Sequence, residues 1–431
     1  MRKYLIIGGG VLFFIVMIIA AVYLSGGGTK KNTEQVELTW WKTFNDRTDM
    51  NDLISAYEDA NPNVTIKYEK KNINTYEQDL LNAIASGNSP DIFTIHNDWL
   101  PKHMDKMAPM PASMMTERQY KDAFVDVAAA DFIKDGKIYA IPMSLDVLAL
   151  YYNKDILGSA GIFTPPATWP QVVSAVQKIT QQDNSGNFTR SGIAMGTSSN
   201  INRSSDLLLL LMLQQGTVFY NNTNTSATFN QQIRVDNESF NPGAMALDFY
   251  TQFARPSKKS YTWNTKADNS VDAFAQGKLA MMISYSYMIP TLKDKAPNLN
   301  WGVAPIPQVD TTGLKTNFAN YWGEGVSKSS THQEYAWDFL KFITQHDQLK
   351  GYTEKVKAPS SRKDLLTEQS SDLELGPFAD NTATAKSVYK YDANQFEGII
   401  QKMIDDVILL GADPEDAVSD AVAQVNLTMR K

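Results

Sequence analysis

VELTWWKTFNDRTDMNDLISAYEDANPNVTIKYEKKNINTYEQDLLNAIASGNSPDIFTI, residues 36–95, carries two kinds of periodicity in strict alternation. VELTWW is a short β-branched and aromatic run, the pattern of a buried first strand. MNDLISAYEDANP places Leu53, Ile54 and Tyr57 on one helical face, and Asn61-Pro62 stops it. VTIKYEK alternates as a second strand. TYEQDLLNAIASGNSP is a second amphipathic helix, closed by Gly87 and Pro90, and DIFTI is a third strand. Strand–helix–strand–helix–strand predicts a parallel α/β sheet with helices on its faces. Ligands of such sheets sit beyond the carboxyl ends of the strands.

Working outward, LLLLLML (Leu207 to Leu213) is too short to cross a bilayer and is expected as a buried helix. NNTNTSATFNQQ (Asn221 to Gln232) reads as a surface loop or hairpin. From Phe396 to Lys431 the pattern is helical again. Asp413-Pro414-Glu415 opens the last helix with a cap residue, proline at the first position and an acid in the first turn. At the N-terminus, Arg2 and Lys3 precede an uncharged run from Tyr4 to Ser25. A helix needs about 20 apolar residues to cross ~30 Å of hydrocarbon, so this run is long enough. Its only candidate cleavage exit, Ser25-Gly26-Gly27, is a poor small-x-small match. An uncleaved anchor over residues 1–25 is therefore expected, followed by a flexible linker over 26–35. The basic pair Arg2 and Lys3 places the N-terminus inside, which leaves the body outside the cytoplasm.

The 431-residue length calls for at least two lobes, and the net charge of −7 argues against a nucleic-acid partner. With no cysteine, disulfides, thiolate catalysis, cysteine-ligated zinc and a lipidated N-terminal cysteine are excluded. His96, His103, His332 and His346 show no metal spacing, and neither a G-x-S-x-G elbow nor a phosphate-binding G-x-x-x-x-G-K-[ST] loop is present. DNSGN (Asp183 to Asn187) lacks the glutamate that would complete a calcium loop, Ala194 standing there, and reads as a turn. No metal and no cofactor are expected.

Six blocks in order resemble the family 1 extracellular solute-binding proteins, the group that includes maltose-binding protein. They are the WW strand with AYEDANPNVTIKYE; AIASGNSPDIFTI; KIYAIPMSLDVLALYYNKDILGSAGIFTPPATWPQVVSAVQKI; AFAQGKLAMMISYSY; WGVAPIPQ; and YWGEGVSKSSTHQEYAWDFLKFIT. The resemblance spans most of Val36 to Arg362. It implies a type II periplasmic-binding fold of two α/β lobes, each a mixed sheet flanked by helices, with ligand between them. The implied crossings are 146–152 and 320–326. One lobe would hold 36–145 with 327–357, the other 153–319 with 358–431. The implied partners are a sugar, most readily an oligosaccharide, and the permease of an ABC importer. A monomer is expected.

Sugar recognition needs flat apolar faces and polar groups around a hydroxyl rim, which tyrosine and tryptophan combine. By position, the candidate ligand residues are Trp41, Lys42 and Asn45 after the first strand, and Asp98 and Trp99 after the third. Asp146 lies at the first crossing, and Tyr285 and Tyr287 follow AMMIS. Tyr321, Trp322 and Glu324 lie at the second crossing, and Phe396 opens the C-terminal helices. Trp40 and Trp41 must face opposite ways in one strand; Trp40 reads as core, and Trp41 is open to core or cleft. Trp322 is open to ligand contact or hinge packing, and Asp146 to ligand contact or hinge hydrogen bonding. An extracytoplasmic carbohydrate-active enzyme, a hydrolase or lyase, is the alternative, and Asp146 with Glu324 raises its glycosidase form, since paired carboxylates cleave glycosides. A non-sugar solute is a further alternative.

Overall fold

The computed structural model describes residues 34–235, 237–310 and 315–429. The expected span over residues 1–25, and the linker up to residue 33, lie outside them. Among the described residues no helix is long and apolar enough to cross a membrane.

The opening stretch folds as its periodicity predicts. β1 (Val36–Lys42), α1 (Arg47–Ala60), β2 (Val64–Lys70), α2 (Tyr76–Ala85) and β3 (Ile92–His96) follow in order. β1 lies parallel between β2 and β3, in register from Val36 opposite Val64 to Lys42 opposite Lys70. Val36, Leu38 and Trp40 point inward along β1, and α1 packs Met50, Leu53, Ile54 and Tyr57 into this lobe's core. Trp40 meets Phe339 and Tyr68 edge-on, both at 5.3 Å. The late strand Trp322–Ser327 completes the sheet antiparallel to β3, pairing Trp322 with His96 and Val326 with Ile92. Its glycines are required there: a Cβ on Gly323 would come within 2.6 Å of Phe132, and one on Gly325 within 2.2 Å of Met107.

The second lobe has its own five-stranded sheet. Phe188–Ile193 and Leu279–Ser284 run parallel, while Ala149–Asn153 runs antiparallel between Leu279–Ser284 and Trp301–Pro305. The leucine-rich run forms the helix Ser204–Gln214, buried on nearly every side, which explains its lack of a polar face. Asp413 caps the last helix, Pro414–Thr428, by accepting the Glu415 amide at 2.8 Å.

Asp146–Val147 pairs antiparallel with Asn317–Asn320, and Ala385–Lys386 extends this small sheet in parallel. This ribbon lies between the two lobe sheets; of the expected crossings 146–152 and 320–326, Ala149–Asn153 belongs to the second-lobe sheet and Trp322–Ser327 to the first. The C-terminal path is more elaborate than the sequence suggests. Residues 358–369, expected with the second lobe, still pack on the first. Ser361 donates to the Pro142 carbonyl at 2.5 Å, and Lys363 pairs with Asp126 at 2.8 Å. The helix Gly376–Thr382 then packs against Trp301–Pro305, so the chain passes to the second lobe between the helices Lys363–Gln369 and Gly376–Thr382.

Candidate functional site

Between the lobes lies a cleft of about 1200 Å³. Its floor is the crossing ribbon. There the Asp146 carboxylate accepts the Ser286 amide at 3.0 Å, the Ser286 hydroxyl at 2.8 Å and the Val147 amide at 3.0 Å. Burial pushes its pKa up to about 6, although these donors favour the charged form.

The first-lobe wall is aromatic. Trp322 meets His96 at 4.9 Å, Trp99 at 5.2 Å, Phe44 at 5.7 Å and Tyr76 at 6.3 Å between ring centroids, all near edge-on. Behind it, Tyr76 stacks on Trp99 and donates its hydroxyl to the Thr94 carbonyl at 2.8 Å. His96 sits between Asp98 Oδ1 at 2.6 Å and Asn320 Oδ1 at 2.9 Å. Burial would depress the imidazole, but the Asp98 carboxylate outweighs it and holds His96 above its usual range. Deeper still, Lys42 pairs with Glu324, which also accepts Trp40 Nε1 and Thr94 Oγ1, both at 2.9 Å.

The second-lobe wall is charged. Tyr287, 48% exposed, stacks on buried Tyr285 at 5.8 Å and bonds Asn202 Oδ1 at 3.2 Å. Tyr285 donates to Asp206 Oδ2 at 2.8 Å, and Arg203 grips the same oxygen with Nε at 2.7 Å and Nη2 at 2.6 Å. Lys390 lies 3.0 Å from Glu397 and 3.7 Å from Asp206. Burial alone would raise the Asp206 pKa; Arg203 and Lys390 overcome it and hold the carboxyl below its usual value.

Eight of the twelve sequence candidates line this cleft: Lys42, Asn45, Trp99, Asp146, Tyr285, Tyr287, Tyr321 and Trp322. Several of these are occupied elsewhere. Lys42 is spent on Glu324, and the Tyr321 hydroxyl donates to Asp131 at 2.6 Å, so Tyr321 braces the hinge. Four candidates are not among the lining residues. Trp41 lies under Lys71, whose Nζ sits 3.6 Å from its ring centroid. Asp98 is buried behind His96, and Glu324 is saturated beneath the wall. Phe396 faces the packing of its own helix, while Ala393, Asn394 and Glu397 turn to the cleft. With Glu324 bound by three donors and Asp146 by Ser286 and Val147, neither carboxylate is free for acid–base work on a glycoside.

Sequence reasoning missed Phe44, His96, Arg203, Lys390 and Glu397. Phe44 had a usable signal: it is an aromatic between Lys42 and Asn45 in the loop after β1. Arg203 and Lys390 had none, since 187 positions separate them in the chain.

Residues 52–377 match the family described as bacterial extracellular solute-binding protein. A binding protein of Brucella abortus is 24% identical over 87% of this chain and 88% of its own length. The maltodextrin-binding protein MdxE of Bacillus subtilis is 23% identical over 74% of this chain and 75% of its own. The sugar-binding protein MalE of Xanthomonas citri superposes with a TM-score of 0.77 at 20% identity, covering 91% of this chain and 97% of that one. At that identity the likeness shows a shared two-lobed fold.

Proposed function

The chain belongs to the bacterial extracellular solute-binding family, and from that premise we propose that it captures an oligosaccharide in the interlobe cleft and presents it to the permease of an ABC importer. The observation that carries this reading is the pairing of walls. A shelf of aromatic rings faces a tyrosine flanked by fixed charges across a space of about 1200 Å³. Flat rings cover the C–H faces of pyranoses, and Arg203, Glu397 and Asn394 supply donors and acceptors for hydroxyls. Four of the five lysines and arginines that line the cleft are matched by carboxylates, Lys42 by Glu324, Arg203 and Lys390 by Asp206 and Glu397, and Lys102 by Glu77, while Lys357 makes no ion pair among the described residues. That balance suits a neutral sugar better than a phosphate.

The protein works outside the cytoplasm, as its family does. The tether is residues 1–25 as an uncleaved single-pass anchor, which keeps a monomeric receptor near its permease and raises its effective concentration there. Trp322, Trp99 and Tyr287 are the sugar platforms; Asp146 and Tyr321 hold the crossings about which the lobes close.

A thermal-shift screen of the purified protein against malto-, manno- and arabino-oligosaccharides tests this. Ligand at 100 times its Kd stabilises by about 2.7 kcal/mol, enough for a readable shift. A selective shift with the sugar recovered intact is expected. Cleaved sugar would establish a hydrolase instead, and no shift from any sugar would overturn the ligand class.

A further inference from the structure

Among the described residues, six other than glycine have positive φ: Phe44, Asp135, Arg203, Asn224, Asn237 and Lys357. Three are Asp or Asn, which tolerate this region; the other three, Phe44, Arg203 and Lys357, all line the cleft. Two of those have a local reason. Lys357 ends the helix His346–Val356, where left-handed residues are common, and Arg203 is drawn to the buried Asp206 at the head of Ser204–Gln214.

The Phe44 side chain supplies no such reason; the turn around it is held from Asn45, whose carbonyl accepts the Tyr68 hydroxyl at 2.7 Å, just before the Asp46 cap of α1. The φ of Phe44 is +66°, and the Asn45 amide donates across it to the Thr43 carbonyl at 2.8 Å. This is a three-residue turn in its strained, positive-φ form, with a bulky aromatic at its centre. Nor does burial compensate. Phe44 is 58% exposed, the most exposed aromatic lining the cleft, and its one aromatic partner is the edge of Trp322 at 5.7 Å. Exposed Ile73 lines the same side. Strain at an exposed residue with little packing points to function.

We infer that Phe44 is a specificity-determining platform, held in a strained turn so that its ring extends the Trp322–Trp99 shelf to a further pyranose of a bound oligosaccharide. It rests on the sugar reading above. Phe44 therefore sets the preferred ligand length, whereas Trp322 sets the capacity to bind sugar at all.

Phe44→Gly separates the two roles, because glycine adopts φ +66° without strain and removes only the ring. Titration calorimetry of the full chain uses malto-, manno- and arabino-oligosaccharides of one to four units. The variant should weaken the longest binding member about tenfold or more (~1.4 kcal/mol) and leave the shortest within about twofold. Its melting temperature without ligand should equal or exceed that of the wild type, and Phe44→Tyr should retain the length preference. An equal loss at every length, unchanged affinity throughout, or a lowered melting temperature with uniform weakening would overturn the inference. So would a wild type that binds only the single-unit sugar. A wild type that binds none of the sugars would overturn the sugar reading as well, and is thereby told apart from failure of the Phe44 role alone.

Discussion

The two walls of the cleft are built on opposite plans. The first-lobe wall is led by rings: Trp322, Trp99 and Phe44 line the space with the Lys102–Glu77 pair beside them, while the Lys42–Glu324 pair lies behind, capped by Trp40 and Thr94. The second-lobe wall is led by charge: Arg203 and Glu397 are partly exposed, a single ring, Tyr287, is presented beside them, and Tyr285 is buried with its hydroxyl on Asp206. Apolar faces grip without much regard to orientation, and fixed donors and acceptors discriminate by it. Under the proposed sugar reading, this contrast predicts that affinity resides mainly in the first lobe and stereochemical selection mainly in the second.

The strongest way to break the comparison is at Asp206. It is fully buried and neutralises Arg203 and Lys390, so Asp206→Ala leaves these two cations with only the partly exposed Glu397 as counter-charge. Removing one partner of such a network should cost about 3–5 kcal/mol of stability, read by urea denaturation. A loss below about 1 kcal/mol would show that the second wall does not depend on this carboxylate.

Trp322→Ala tests the first wall. It removes the ring that touches His96, Trp99, Phe44 and Tyr76, and should weaken sugar binding by about 2–3 kcal/mol in calorimetry. Equal affinity would move the affinity to the other lobe.

Between the walls, Asp146 makes the hinge sensitive to pH. Burial pushes its pKa up from the ordinary 3.8 of an aspartate to about 6. From about pH 4 to 6 the folded form keeps a proton that the unfolded chain has lost, so this group makes stability fall as pH rises. Asp131, also raised to about 6 by burial, adds to the same slope, while Asp146→Asn should remove its own share, on the order of 2 kcal/mol across the window. Thermal melts of both proteins at pH 4, 5, 6 and 7 give the difference, and identical slopes would exclude Asp146 as its source.

The smallest effect is expected at Tyr287→Phe. Its hydroxyl makes an exposed bond of 3.2 Å to Asn202, so stability should change by less than about 0.5 kcal/mol in denaturation, and binding should persist through the ring. A large loss of affinity would give the hydroxyl, rather than the ring, the contact with sugar.

Much of the frame was legible in the chain, and the reason is local. Alternation in VELTWW and helical spacing in MNDLISAYEDANP arise from contiguous backbone, so β1, α1, β2, α2 and β3 could be read directly. The alternation also separated Trp40 from Trp41, but it could not say what covers the second face; Lys71, lying over Trp41, decides that. Asp98 looked like a cleft acid by its position after the third strand, and Glu324 by its position at the second crossing. Three donors converge on Glu324 and His96 on Asp98, from elements that the local pattern does not relate.

What the sequence by itself determined is the order of the first five elements, the two-lobed class, and the neighbourhood in which the first strands end. The solute-binding family was legible in six ordered blocks. Only the tertiary structure decided which side chains in those neighbourhoods face the cleft. It joined Arg203, Asp206, Lys390 and Glu397, kept residues 358–369 on the first lobe, and held Phe44 at φ +66° beside Trp322. The physical reason is that periodicity is a short-range property of the chain. Burial, charge pairing and strain depend on contacts between residues far apart in sequence, which exist only once the sheets have formed and packed.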